Sequence, residues 1–284
     1  MIKKIRGEDL AYLVYAESSF LCRKRQDMQI NKIIFFDLDG TLCPHNDLQV
    51  TPEITQLFAQ FPAHHILPVV ASGRSFYEVQ PLLRKLKVDS YILSNGCYVV
   101  AQGRIIQNQQ LSNNVIEKII KLANDRKQDV GFFNQRGYAV TGINHLTRRH
   151  MNAMHLSKTL IAPEFYRTHI VNFLNLYLQD SEEAVYQKLF SNQLEFVRYA
   201  PLAVDVLPVK TSKAQAIDKL LTTMNFPNLT TYAFGDQNND LTMFSKVDYG
   251  IAMKKATIEL KRLASYVAKT NLGVTEGLRH YQLI

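Results

Sequence analysis

The sequence predicts an α/β protein built on a parallel sheet, with a separate α+β unit inserted into it. Three observations predict this. Apolar runs such as Ile33-Ile34-Phe35-Phe36 and Ile66-Leu67-Pro68-Val69-Val70-Ala71 show no polar alternation, which is the pattern of strands buried on both faces. These runs alternate with segments that carry helix-start signals. Near Leu111 the rhythm shifts to shorter, mixed strands and helices, and the first pattern returns near residue 206. The expected division is a core of residues 28–109 and 206–284, an insert of residues 110–205, and an N-terminal extension of residues 1–27.

The first strand ends in Asp37-Leu38-Asp39-Gly40-Thr41-Leu42. In open α/β sheets ligands bind at that C-terminal edge. Asp37 and Asp39 are two residues apart, so in extended backbone both carboxylates face one volume. Gly40 allows a sharp turn just after them. Carboxylates this close repel, and a cation between them keeps both ionised. Mg²⁺ fits, because it prefers carboxylate oxygens, waters and phosphates. A carboxylate can also attack phosphorus. Two solvated acids at a turn is the plainer account of an isolated Asp-x-Asp, and the functional one gains weight only from further site residues downstream in the chain.

Thr51-Pro52-Glu53 starts a helix, with Thr51 as N-cap. The next strand, to Ala71, ends in Ser72-Gly73-Arg74-Ser75, and Ser75 to Glu78 forms a capping box. A hydroxyl and free N–H groups at a helix N-terminus make a phosphate cradle. Tyr91-Ile92-Leu93 is a third strand, closed by Ser94-Asn95-Gly96, and a hairpin comes next around Gly103. The insert reads as a helix from Asn114 to Arg126, strands near residues 130–133 and 138–140, a strand from Val171 to Leu178, a helix from Glu182 to Phe190, and strands near 195–199 and 204–207. Arg148, Arg149 and His150 form a basic cluster in it, read as a solvated face in preference to a substrate-facing one. Ser212 then caps a helix running to about Met224, which puts Lys213 in its first turn, unfavourably placed against the helix dipole. Thr230 to Phe234 is a strand ending in Gly235-Asp236-Gln237-Asn238-Asn239-Asp240, a second acidic strand end. A strand from Tyr249 to Met253 and helices from Ala256 to Ala264 and Val274 to Gln282 complete the chain.

Composition narrows the function classes. Three cysteines without a Cys-x-x-Cys argue against a disulfide scaffold or zinc site and fit a reducing, cytoplasmic setting. Cys43 and Cys97 come just after motif residues but read as small buried hydrophobes. The net charge of +8 comes with no long basic run or basic–aromatic interleaving, so it points to steering of anionic small molecules over nucleic-acid binding. No apolar run is long enough to span a membrane. Residues 1–27 have a short apolar stretch interrupted by Glu8 and Asp9, a poor signal peptide, and Met28 stands just before the first strand as an alternative start.

Asp-Leu-Asp-Gly-Thr at 37–41, Ser-Gly-Arg at 72–74, Lys213 and Gly-Asp-x-x-Asn-Asp at 235–240 occur in this order. Together they resemble the haloacid dehalogenase (HAD) superfamily, in particular its Cof-type phosphatases with a large α/β cap (class IIB). The resemblance covers most of residues 28–284. It implies a Rossmannoid core with a C2-type cap inserted after the third core strand. It also implies that Asp37 is the nucleophile and Asp39 the general acid/base. Mg²⁺ would be held by Asp37, the backbone carbonyl of Asp39 and Asp236. Ser72, Gly73 and Lys213 would surround the phosphoryl oxygens, with Asn239 supporting the metal and phosphate region. Asp240 would position Lys213, and Thr41 and Arg74 would support the site. The implied function is Mg²⁺-dependent hydrolysis of small phosphorylated metabolites, such as sugar phosphates or phosphorylated cofactors, through an aspartyl-phosphate. A phosphomutase, or a non-catalytic binder of phosphometabolites or nucleic acid, is the alternative. The sequence departs from the family pattern at Lys254-Lys255, at Ala214 and in a short loop at Thr270 to Val274.

Overall fold

The computed structural model describes residues 30–45, 47–153 and 159–284. The expectations for residues 1–27 and for a start at Met28 lie outside them. Strand β1 (Lys32–Phe36) is paired in parallel with β2 (Ile66–Ala71) on one side and β12 (Thr230–Gly235) on the other. Beyond β2 lies β3 (Tyr91–Leu93), and beyond β12 lie β13 (Tyr249–Ala252) and β14 (Tyr266–Val267), all parallel. An antiparallel hairpin of β4 (Tyr98–Ala101) and β5 (Arg104–Asn108) extends the sheet past β3 to eight strands. The hairpin turns on Gln102 and Gly103, both at positive φ, which matches the right-handed twist of the strands it joins. The chain winds away from β1 in one direction through β3 and in the other from β12. The crevice between β1 and β12 is therefore the topological switch point, where ligands bind in such sheets.

The unbroken apolar run of β1 is explained by burial on both faces. Ile34 and Phe36 pack with α1 (Pro52–Gln60), α2 (Phe76–Leu86) and α10 (Gly273–His280). Phe36 lies 5.1 Å, ring to ring, from both Phe58 and Phe234. Ile33 and Phe35 pack on the opposite face with α7 (Lys213–Met224), α8 (Leu241–Phe244) and α9 (Ile258–Leu263). Each such side chain contributes roughly 1.5–3 kcal/mol by leaving water, so a polar residue on either face of β1 would be costly.

A second sheet, of six strands, lies in the chain between β5 and α7. It comprises β6 (Val130–Asn134), β7 (Gly137–Val140), β8 (Leu160–Ile161), β9 (Phe173–Tyr177), β10 (Leu194–Ala200) and β11 (Ala203–Pro208), in the order β10-β11-β9-β6-β7-β8. Alternation divides its residues. Val130, Phe132, Leu174, Leu176, Val204 and Val206 pack on α3 (Asn113–Asp125), α5 (Phe165–Thr168) and α6 (Asp180–Phe190). Phe133, Phe173 and Leu207 point the other way and meet Cys97 of the first sheet's side. Across another part of this inward face lies α4 (His145–Ala153), whose Met151 packs with Val140, Tyr177 and Ala203. The basic cluster splits here: Arg148 and Arg149 are exposed, but His150 is buried, because it falls on the face of α4 that covers the sheet.

The chain crosses between the sheets near residues 109 and 211. The two crossings are joined side to side, the Thr211 hydroxyl donating to the Gln109 side-chain oxygen. The Gln109 N–H also donates to the Cys97 carbonyl at 2.8 Å.

Candidate active site

Asp37 extends the pairing of β1 by one residue, its N–H donating to the Phe234 carbonyl at 3.0 Å. The loop after it closes on itself, with the Cys43 N–H donating to Leu38 at 2.7 Å and the Gly40 N–H to Cys43 at 3.0 Å. Gly40 has φ +83°, and a Cβ there would fall 2.1 Å from Asp236 Oδ2. Glycine is what lets this loop lie against the end of β12. Asp37 and Asp236 therefore share the β1/β12 crevice.

Lys213 completes the cluster. Ser212 caps α7, its Oγ accepting from the Gln215 N–H at 3.2 Å. Lys213 is 2 % exposed. Its Nζ lies 2.6 Å from Asp37 Oδ1 and 2.7 Å from Asp240 Oδ1. Two acids outweigh both the cost of burying the ammonium and its unfavourable place at a helix N-terminus. Asp240 Oδ2 accepts from the backbone N–H groups of Asp236 (3.0 Å) and Gln237 (3.2 Å), so its whole carboxylate is committed. Burial works against the Lys213 ammonium, yet Asp240 and Asp37 together raise its pKa. Burial and the Asp240 charge push Asp37 well up, with Lys213 opposing them. Burial also brings Asp236 up to about 6, partly offset by the Gln237 amide.

With all three buried carboxylates ionised, the one buried ammonium would leave two negative charges uncompensated in this cluster, the repulsion that adds to burial in raising Asp37 and Asp236. Ligand oxygens of Asp37, Asp236 and Asp240 all lie within 4.8 Å of one another. Because Lys213 and two backbone N–H groups occupy Asp240, the acids with capacity to spare are Asp37 and Asp236. An all-oxygen donor set with an excess of carboxylates suits a hard divalent cation. Thr41 supports Asp236 from 3.5 Å and the Gln237 amide from 2.8 Å.

Ser72 is buried at the end of β2, its N–H held by the Ile92 carbonyl (2.8 Å) and its Oγ accepting from the Arg74 N–H (3.1 Å). Arg74 forks onto Asp39, Nε to Oδ2 and Nη2 to Oδ1, both at 2.7 Å, and reaches Glu78 at 3.4 Å. Glu78 in turn accepts from the Ser75 N–H at 2.8 Å. Burial opposes the Arg74 guanidinium, but the Asp39 bonds prevail and its pKa rises. Gly73 lies beside the Asn95 amide. Asn239 is exposed on the turn between Asp236 and Asp240, both of which are buried. Lys254 and Lys255 are exposed, and Cys43 and Cys97 are fully buried. Burial pushes the Cys43 thiol up to about 12, so it stays protonated and unreactive.

The structure adds residues that no motif marks. After β3, Ser94, Asn95 and Gly96 all have positive φ. A Cβ at Gly96 would lie 2.5 Å from the Ser212 carbonyl, so the turn is pressed against the start of α7. It carries Asn95 across to the second sheet, where its Nδ2 donates to Asp205 Oδ2 at 2.8 Å. The Ser-Asn-Gly turn was a detectable signal, since asparagine tolerates left-handed backbone. Asp205 sits in mid-strand and had none.

The profile of the haloacid dehalogenase-like hydrolases matches residues 34–277. The Bacillus subtilis protein named "Putative phosphatase YkrA" is 35 % identical over 244 residues, spanning 84 % of this chain and 92 % of that protein. A hypothetical protein from Geobacillus kaustophilus HTA426 superposes with a TM-score of 0.81 at 27 % identity, over 89 % of this chain and all of that one (100 %). The HAD subclass IIB sugar phosphatase BT4131 shares the fold, with a TM-score of 0.77 at 21 % identity, over 89 % of this chain and 100 % of its own.

Proposed function

The chain belongs to the haloacid dehalogenase-like hydrolases and is an enzyme of the phosphatase class, and from that premise we propose that it hydrolyses small phosphorylated metabolites, such as sugar phosphates or phosphorylated cofactors, with Mg²⁺ and through an aspartyl-phosphate on Asp37. The observation that carries this reading is the buried clamp of Lys213 between Asp37 and Asp240. It fixes a carboxylate oxygen at the switch point and sets a cation beside the place where phosphoryl charge would gather.

In this reading an Asp37 oxygen attacks phosphorus, the bond to the leaving oxygen breaks, and Asp39 supplies that oxygen with a proton. Asp39 then takes a proton from water, whose oxygen attacks the phosphoryl group and frees Asp37 and inorganic phosphate. Asp37, the Asp39 carbonyl and Asp236 would hold Mg²⁺, which offsets charge on the phosphoryl oxygens. Lys213 and the Ser72 hydroxyl bind those oxygens. Arg74 engages both oxygens of Asp39, so Asp39 reaches the leaving group only once this fork opens on one side.

The test is phosphate release from a panel of sugar phosphates, nucleotides, flavin mononucleotide and pyridoxal phosphate, with and without Mg²⁺, beside Asp37→Asn. Metal-dependent release that falls by about four orders of magnitude or more in the variant is expected for loss of a nucleophile. A variant with near-normal turnover would overturn the mechanism.

A further inference from the structure

We propose that Lys254, Lys255 and Lys269, on neighbouring loops at the C-terminal edge of the first sheet, seat a second anionic group of the substrate. The enzyme then favours phosphate esters that carry a further phosphate or a carboxylate. This rests on the phosphatase reading and names its substrate class.

The sheet itself brings these lysines together. Strands β13 and β14 run in parallel with Ala252 opposite Val267. The Ala268 N–H donates to the Ala252 carbonyl at 2.9 Å and carries the pairing to the strand ends. Lys254 and Lys269 each stand two residues past the Ala252–Val267 pair, so they leave adjacent strand ends side by side, with Lys255 next in the chain. On its other side the Lys254 loop is tied to the candidate site. The Met253 N–H donates to the Gly235 carbonyl at 3.0 Å, and the Thr257 N–H to the carbonyl of Asp236 at 2.9 Å. The lysines therefore border the strand end that supplies Asp236 to the acidic cluster.

The backbone that carries them is held in place while their side chains face solvent. A Cβ at Gly273 would lie 2.8 Å from Met253 Sδ, so the loops after β13 and β14 touch. Glu276 of α10 fastens the second of them. Its Oε1 accepts from the Lys269 N–H at 2.8 Å and the Tyr266 hydroxyl at 2.7 Å. Its Oε2 accepts from the N–H and the hydroxyl of Thr270, at 2.8 and 2.7 Å. An ionised carboxylate offers about four acceptor sites, and here all are used.

Charge completes the case. The loops after β12, β13 and β14 expose three lysines and no acid. None of these lysines forms an ion pair among the described residues, and Glu259, exposed on α9, pairs with none of them. The exposed residues of the turn beside them, Gln237, Asn238 and Asn239, are neutral amides. Like charges set side by side repel, and an anion among them relieves that repulsion. A single exposed ion pair is weak, but several cations meeting one anion act as a network. Lys254 and Lys255 also stand where the chain departs from the family pattern, so this seat is a property of this chain.

The experiment measures kcat/KM for two substrate pairs. One pair is fructose 1,6-bisphosphate and fructose 6-phosphate. The other is 6-phosphogluconate and glucitol 6-phosphate, which differ by a carboxylate against a hydroxymethyl group. Wild type is expected to favour the more anionic member of at least one pair about tenfold. A preference in the first pair assigns a second phosphate, and one in the second pair a carboxylate. The double variant Lys254→Ser/Lys255→Ser should remove most of that preference, and Lys269→Ser about half of it on a logarithmic scale, both through KM. The control Lys118→Ser/Lys121→Ser removes equal charge from exposed positions on α3 and should leave the preference intact. No preference in wild type, or one that the control lowers as much as the loop variant does, would overturn the inference and leave the phosphatase reading standing. If wild type hydrolyses none of the four, the phosphatase reading fails, and calorimetric binding of fructose 1,6-bisphosphate and 6-phosphogluconate decides the inference separately. Binding of either that the loop variant weakens and the control does not upholds it, and any other result overturns it.

Discussion

Gly40 shows how much one missing side chain decides. Its φ of +83° and the 2.1 Å approach to Asp236 leave no room for a methyl group. Gly40→Ala adds left-handed strain and displaces a carboxylate at once. Its expected effects are a loss of more than about 1 kcal/mol of stability and a fall in turnover of at least tenfold, read from thermal denaturation and phosphate release. Both are expected because the residue that must move belongs to the site. At this scale, legibility depended on place in the chain. Asp37 and Asp236 were visible because they directly follow apolar strands, with Asp39 and Asp240 in the turns just after them, and strand ends can be read from the pattern. Lys213 alone looked like an exposed lysine; only the acids that meet it, 176 and 27 residues away in sequence, bury it.

At the scale of elements, the strands and helices of the α/β core were legible because burial on both faces leaves an unbroken apolar run. The second sheet was harder. Its strands alternate, and alternation reveals that there are two faces without showing what each one meets. His150 is the clearest casualty, a residue of a basic cluster that α4 turns inward. Burial lowers its pKa from 6.5 to about 4. Between pH 6.5 and 4 the unfolded chain binds a proton that the folded chain refuses, so His150 lowers stability as pH falls through that window and has no such effect above it. At pH 5 the loss is about 2 kcal/mol. Asp205, raised to about 7 by burial despite its two amide donors, acts with the opposite sign. The histidine part is therefore read as a difference: His150→Gln, which keeps an N–H for the Tyr199 hydroxyl 3.0 Å from the ring, should lose less stability than wild type when urea midpoints at pH 7 and pH 5 are compared. An equal loss in both would mean the ring is accessible to protons in the folded state.

Across the whole molecule, the excess of carboxylates at the switch point links cation binding to folding. Mg²⁺ at about 100 times its dissociation constant is expected to stabilise the protein by about 2.7 kcal/mol, seen as a rise in the thermal midpoint. Asp236→Asn should shrink that rise while leaving the metal-free protein folded, and sodium at equal ionic strength should not reproduce it. The crossings near 109 and 211 have a mechanical consequence as well. Because Thr211 is bonded to Gln109, the two connections between the sheets are not independent tethers but one pin. Away from the crossings the two sheets are fastened again, by Asn95 on Asp205 and by Gln135, which accepts from the Phe76 N–H and donates to Ser94 Oγ, so the seam is stitched at several points along its length.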